Sequence, residues 1–281
     1  MTRQMMIVST LEELRSARLL LDRPVGFVPT MGYLHEGHLS LARQAGRECK
    51  SVVASIFVNP TQFGPNEDLS KYPRDLERDL RLLESEGVDL VWTPTPEIMY
   101  PAGFQTWVEV QEVSQPLEGA ERPGHFRGVT TVVSKLFNAV QPDKAYFGQK
   151  DAQQAAVVRQ MTADLNLPVE IVVCPIVREP DGLAMSSRNV YLEPAQRTAA
   201  TVLYRSLTAA KGAYDRGERE AARLREIMKQ TIISEPLAQL QYVSCADYDT
   251  LQELDAVTGK CLLSMAVFFG KTRLIDNLVL E

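Results

Sequence analysis

The chain has 281 residues, 45% hydrophobic and 23% charged, with a formal net charge of −6. That length suits one large domain or two modest ones, and buries roughly 75% of the unfolded surface. The acidic balance excludes nonspecific nucleic-acid binding, which needs clustered lysine and arginine, and no apolar run approaches the ~20 residues that cross a bilayer.

Strand and helix signals then alternate. Residues 25–29 read as a strand, and 39–49 carry apolar side chains at helical spacing. The near-continuous apolar run 51–58 suits a strand covered on both faces. Residues 75–86 form a charged helical pattern closed by Gly87 at the C′ position, and 88–92 the next strand. Helix is expected over 129–140, a short strand over 145–147, helix over 151–165 and strand over 169–177. Strands alternating with crossover helices predict a doubly wound parallel α/β sheet. The tail differs: helices over 195–216 and 218–233, broken at Gly217, precede strands over 240–246 and 261–269. This predicts a smaller C-terminal α+β domain, with the domains at 1–176 and 177–281.

Two segments concentrate the chemistry. His35-Glu36-Gly37-His38 lies where the first strand turns into a helix, so both imidazoles share a face at a helix N-terminus, where amides and dipole favour phosphate. Gly37 is expected to let a ligand approach the backbone. Met185-Ser186-Ser187-Arg188-Asn189 follows an Asp181-Gly182 turn and offers hydroxyls, amides and a guanidinium that matches phosphate bidentately. Together they make a cradle for a triphosphate, the setting of adenylate formation. Gly148-Gln149-Lys150-Asp151 puts a lysine at another helix start, with Asp151 able to cap the helix or take a ribose hydroxyl. No GxxxxGK[ST] or GxGxxG pattern occurs.

Asn59-Pro60-Thr61-Gln62 leaves the second strand with uncharged amides suited to hydroxyls and carboxylates, and 64–72 could close over the site. Gln154 projects one helical turn after Lys150. Arg122-Pro123-Gly124-His125-Phe126-Arg127-Gly128 is a glycine-bracketed loop, either an anion contact or, more in keeping with His125, a structural crossover. A zinc site completed by His125 is the competing metal reading, though the histidine spacing at 35–38 is not that of the zinc-protease helix. Cys49, Cys174, Cys245 and Cys261 form no Cys-x-x-Cys pair, and Met1 to Glu13 holds no signal-peptide apolar region, so a reducing cytoplasm is expected.

Five of these motifs in order resemble the pantothenate synthetase family: Pro29-Thr30-Met31-Gly32 before the histidines, Phe57-Val58-Asn59-Pro60-Thr61-Gln62-Phe63, Arg122-Pro123-Gly124-His125-Phe126, Phe147-Gly148-Gln149-Lys150-Asp151 and Met185-Ser186-Ser187-Arg188-Asn189. Thr272-Arg273-Leu274-Ile275-Asp276-Asn277 extends the match toward the end. The resemblance implies a Rossmann-like sheet of the HIGH/KMSKS nucleotidyltransferase kind. It implies condensation of (R)-pantoate with β-alanine through a pantoyl adenylate, at the expense of ATP with Mg²⁺, in a cytoplasmic homodimer without nucleic-acid or membrane partners.

By position, Met31, Gly32, Tyr33, Leu34, His35, Glu36, Gly37 and His38 match the family's first ATP-binding stretch, with His38, His35 and Lys150 in catalytic roles. Gly148, Gln149, Lys150, Asp151 and Val177 match further nucleotide contacts; Met185, Ser186, Ser187 and Arg188 match the loop on the distal phosphates. Gln62, Gln154 and Asn59 match substrate contacts, Gln62 lying beside β-alanine too. Gln149 stands where many relatives have glutamate and Leu82 is apolar, so Mg²⁺ is expected on the phosphates, with no protein ligand. The nearest rival is a nucleotidyltransferase of the same superfamily that passes AMP to a phosphate-bearing acceptor; a nucleotide-binding module without catalysis would make no AMP.

Overall fold

The computed structural model describes residues 4–65 and 67–281. By its internal contacts the chain divides into two units. One runs to Gly148 and resumes at Gln153–Pro175; the other consists of Gln149–Ala152 and Ile176–Glu281.

The first unit opens with β1 (Met6–Val8), α1 (Leu11–Arg18), β2 (Val25–Thr30), α2 (Glu36–Glu48) and β3 (Ser51–Ile56). It continues through α3 (Leu76–Ser85), β4 (Leu90–Trp92), α4 (Pro96–Met99) and α5 (Glu118–Glu121). α6 (His125–Val140), β5 (Lys144–Gly148), α7 (Ala152–Asp164) and β6 (Glu170–Cys174) complete it. The strands run parallel in the order β1-β4-β3-β2-β5-β6. Val25, Phe27, Val28, Val53 and Ala54 are fully buried, because helices cover both faces of the sheet. The winding reverses between β2 and β5, and a crevice opens beyond strand ends at such a reversal. The loop into α2 leaves β2 there, and β5 ends there at Gly148.

Local signals place most of these elements. Thr10 and Glu13 form a capping box on α1. Asp75 accepts from the Arg78 amide at the start of α3, and Gly87 follows its end at φ +75°, as expected. The glycine-bracketed stretch at 122–128 is a correction: it is not all loop. α6 begins at His125, and Gly128 sits inside its first turn.

The second unit packs α8 (Pro194–Ala199), α9 (Val202–Asp215) and α10 (Ala221–Ile233) with the antiparallel sheet β7 (Ala238–Asp247), β8 (Cys261–Phe269) and β9 (Thr272–Leu280). The one helix expected over 195–216 breaks at Ala200-Thr201, and β9 adds a strand the sequence reading lacked. Leu203, Leu207, Leu224, Met228, Ile232, Leu263, Met265 and Val267 are at most 1% exposed and form its core. Burying each such side chain contributes about 1.5–3 kcal/mol. Among the described residues no helix is long and apolar enough to cross a membrane.

Candidate active site

His35 is the N-cap of α2, and its Nδ1 accepts from the Gly37 amide at 3.1 Å. His38 Nδ1 in turn accepts from the His35 amide at 3.3 Å. The two imidazoles thus form a reciprocal capping box, their ring centroids 4.1 Å apart. Both Nδ1 lone pairs are occupied, so each neutral ring carries its proton on Nε2 and is a donor there. Capping and ligand binding are therefore not alternatives for these residues. A Cβ on Gly37 would lie 2.9 Å from the His35 ring. This corrects the expectation for that glycine: the space it leaves is filled by His35.

The loop into this helix is held by Asp79 of α3, which is 1% exposed. Its two carboxylate oxygens accept from the amides of Tyr33, at 2.6 Å, and Leu34, at 2.8 Å. Tyr33 has φ +50°, a conformation a bulky residue adopts only under such restraint. Arg78 donates to the Leu34 carbonyl at 2.9 Å and lies over the Tyr33 ring. Burial pushes the Asp79 carboxyl up, and the two peptide donors oppose it. We expect Asp79→Asn to cost about 2 kcal/mol, because an amide sets N–H against one of these peptide donors. Urea unfolding checks the stability; turnover falls too as the loop loses its anchor.

Beyond β3, Asn59 caps the short 3₁₀ turn Pro60–Gln62 and is 1% exposed. Its Oδ1 accepts from Thr61 Oγ1 and from the Tyr100 hydroxyl, and its Nδ2 donates to Gln62 Oε1 and to the Gly128 carbonyl. Asn59, expected as a substrate contact, uses both ends of its amide to hold the turn. Gln62 is half-buried, with Nε2 3.1 Å from Met31 Sδ. Gln154 lies half-buried in the first turn of α7. Within 64–72, Asn66 lies outside the described residues, and Glu67 pairs with Arg122.

His125 offers no nitrogen to a metal: Nδ1 meets the Gln62 carbonyl at 2.8 Å and Nε2 meets Arg122 at 3.1 Å. Burial, with the Arg122 charge beside it, pushes its pKa down to about 4 from 6.5. The unfolded chain takes up this proton near pH 6.5. Stability present above that pH is therefore lost as pH falls toward 4, by on the order of 3 kcal/mol. Thermal melts at pH 7 and 4.5 should show this slope, reduced in His125→Asn.

In the second unit, one dipeptide of β9 organises two loops. Asn277 Nδ2 donates to the carbonyls of Gln149 and Lys150, each at 2.9 Å, and its Oδ1 accepts from Gln149 Nε2 at 3.1 Å. This sets the turn that carries Lys150, whose ammonium lies 3.7 Å from Asp151. Asp276 takes Arg178 bidentately at 2.7 and 3.0 Å. Arg178 also donates to the Gly182 carbonyl and lies over the Tyr204 ring. It thereby ties down the base of the hairpin in which the Met185 amide donates to the Val177 carbonyl. Just past the open end of the hairpin, Ser186 Oγ accepts from the Arg188 amide and opens the turn Ser187–Tyr191. Asp79, Arg178, Asp276 and Asn277 have no local signature of these roles; the resemblance alone reached Asp276 and Asn277, and Asp79 only as an acid not expected to bind Mg²⁺.

The family model for pantoate-beta-alanine ligase matches residues 6–279. The pantothenate synthetase of Roseiflexus castenholzii is 62% identical over 277 residues, covering 99% of this chain and 100% of that protein. That of Chloroflexus aurantiacus is 62% identical over 278 residues, 99% of each. The crystal structure of pantothenate synthetase from Thermus thermophilus matches with a TM-score of 0.94 at 51% identity, covering 98% of this chain and 99% of that one. The pantoate-beta-alanine ligase of Francisella tularensis, in complex with beta-gamma ATP and beta-alanine, matches with a TM-score of 0.80 at 36% identity over 98% of each chain.

Proposed function

This chain belongs to the pantoate-beta-alanine ligase family, and we propose that it condenses (R)-pantoate with β-alanine in two steps at the expense of ATP. A carboxylate oxygen of pantoate bonds to the α-phosphorus as the bond to pyrophosphate breaks, leaving pantoyl adenylate. The β-alanine nitrogen then bonds to the acyl carbon, loses a proton, and AMP departs with the acyl–oxygen electron pair.

The observation that carries this reading is the pair of imidazoles at the start of α2, each with Nδ1 occupied by a backbone donor. Two Nε2–H donors at a helix N-terminus suit the charge that grows on the α-phosphate oxygens. In-line transfer at phosphorus needs positioning and countercharge more than a strong base, and the pantoate carboxylate is already ionised. In this assignment Lys150 adds countercharge at the α-phosphate and Ser186, Ser187 and Arg188 hold the distal phosphates. Met31 to Leu34, Gly148, Asp151 and Val177 lie along the nucleotide. Gln62 and Gln154 take pantoate, with Gln62 also beside β-alanine.

Mg²⁺ belongs to the same proposal as the counter-ion of the triphosphate. Among the described residues no group of three or more His, Cys, Asp or Glu side chains is placed to hold a metal, and both Asp79 oxygens are engaged by peptide donors. A donor set of phosphate oxygens and water fits that environment and the octahedral preference of Mg²⁺, which when bound neutralises the departing pyrophosphate. A cytoplasmic homodimer completes the reading, and light scattering on the purified protein tests the dimer.

Product analysis with ATP, Mg²⁺ and (R)-pantoate, with and without β-alanine, is the test. The expected result is pyrophosphate release only with pantoate, and pantothenate with AMP once β-alanine is added. Absence of pantoate-dependent pyrophosphate would make pantoate the wrong acid.

A further inference from the structure

Arg122-Pro123-Gly124-His125 has no part in the chemistry above, yet its geometry is closely determined. His125 is 9% exposed at the first position of α6. A carbonyl oxygen only accepts and a guanidinium N–H only donates. One state of the ring satisfies both neighbours: neutral, with the proton on Nδ1 donated to the Gln62 carbonyl at 2.8 Å and a bare Nε2 accepting from Arg122 Nη1 at 3.1 Å. The other tautomer fails at both ends, and the doubly protonated ring sets N–H against N–H.

Arg122 is itself fixed. Its Nε and Nη2 donate to the two carboxylate oxygens of Glu67 at 2.8 and 2.6 Å, and this fork directs Nη1 at the ring. Glu118, the other carboxylate facing the pair, lies 3.9 Å from Nη1.

The peptide on the other side of Gln62 is equally confined. A Cβ at Gly128 would meet the Thr61 oxygen at 2.4 Å and the Gln62 nitrogen at 2.8 Å, so the first turn of α6 lies directly on the Thr61–Gln62 peptide. The Gly128 carbonyl and Gln62 Oε1 share the Asn59 Nδ2 donor, each at 3.1 Å.

We propose that His125 is a positioning residue for the acid substrate, locked as the neutral Nδ1–H tautomer, and that the chain Glu67–Arg122–His125 fixes the Gln62 backbone so that its side-chain amide meets that substrate in one orientation. The proposal rests on the reading of Gln62 as a contact of pantoate and β-alanine. The depressed pKa of the ring agrees with it. His125 touches no reacting atom; it acts through Gln62.

Steady-state kinetics on His125→Ala and His125→Asn, together with nitrogen-15 NMR of the wild-type imidazole, test it. Removing His125 takes away the short bond to the Gln62 carbonyl and leaves it only the long one from Arg122 Nη2 at 3.4 Å, so His125→Ala should raise KM for pantoate and β-alanine about tenfold or more while KM for ATP stays within about twofold. Asparagine places an N–H near the position of Nδ1 and should recover most of that loss. NMR should show Nδ1 protonated, Nε2 bare, and no titration near pH 6.5. An unchanged pantoate KM in the alanine variant, equal defects for all three substrates, or the Nε2–H tautomer would overturn the proposal. If His125→Ala does not fold, the asparagine variant and the wild-type tautomer still decide it. Gln62→Ala separates the two readings: an unchanged pantoate KM there removes Gln62 from the substrate site, while the tautomer measurement is unaffected.

Discussion

Lys150→Ala is expected to lower the rate of AMP formation by about 10²- to 10³-fold, the usual loss when one donor to a developing phosphate charge is removed. Stability should change by less than about 0.5 kcal/mol, because the ammonium's ion pair with half-exposed Asp151 is long, at 3.7 Å, and such surface pairs contribute little. Pyrophosphate release in the first half-reaction, read beside a thermal melt, checks both parts. A near-normal rate would remove Lys150 from the α-phosphate.

The histidines need a finer dissection because they also cap α2. His35→Ala should lose both the rate and about 1 kcal/mol of stability. His35→Asn retains an N-cap acceptor and should restore the melt but not the rate. Recovery of rate by asparagine would reduce His35 to a cap.

Asp276→Ala is expected to destabilise the protein by about 3 kcal/mol or more, the cost of leaving a charged partner in a poorly solvated place. Asp276 is 1% exposed and takes two hydrogen bonds from Arg178. Some of the lost ion pair is recoverable through water, since the Arg178 side chain is 18% exposed. Pairing Asp276→Leu with Arg178→Met removes both charges and should regain much of the stability. Turnover should stay low in the double variant, because the Arg178 bonds that tie the 177–185 hairpin to β9 are then gone. Urea unfolding of the single and double variants, with turnover measured on the double, decides the matter; a stable but active double variant would deny the hairpin its catalytic importance.

Much of the first unit was legible because its signals are local. β2 and β3 are apolar on both faces, and α3 announces its start through Asp75, whereas β1 and α1 were not anticipated even though Thr10 and Glu13 cap α1. The histidine motif was legible for the same reason, with two rings three positions apart at a strand end. What escaped depended on partners distant in sequence. The start of α6 was obscured by Gly128, which reads as a break but sits in the helix because the Thr61–Gln62 peptide leaves no room for a Cβ. β9 was hidden by Asp276 and Asn277, which resemble turn residues locally and lie in a strand because Arg178 and the Lys150 turn need them there. The break in the helix expected over 195–216 has no glycine or proline to mark it. Nothing in the charged pattern of α3 marks Asp79 as the residue that takes the amides of Tyr33 and Leu34, because both lie more than 40 positions earlier.

The grip of Asn277 on the Lys150 turn bears on how relatives can be recombined. The two strongest contacts go to main-chain carbonyls, which every sequence offers, and only the bond to Gln149 depends on a side chain. A chimera joined at 175/176, taking its tail from another family member, should keep its lysine in register whatever residues flank it, provided the donor tail brings an asparagine at this point of its last strand. The seam between parental sequences is thus written in backbone, and the Lys150 turn can be inherited from one parent while its clasp comes from the other.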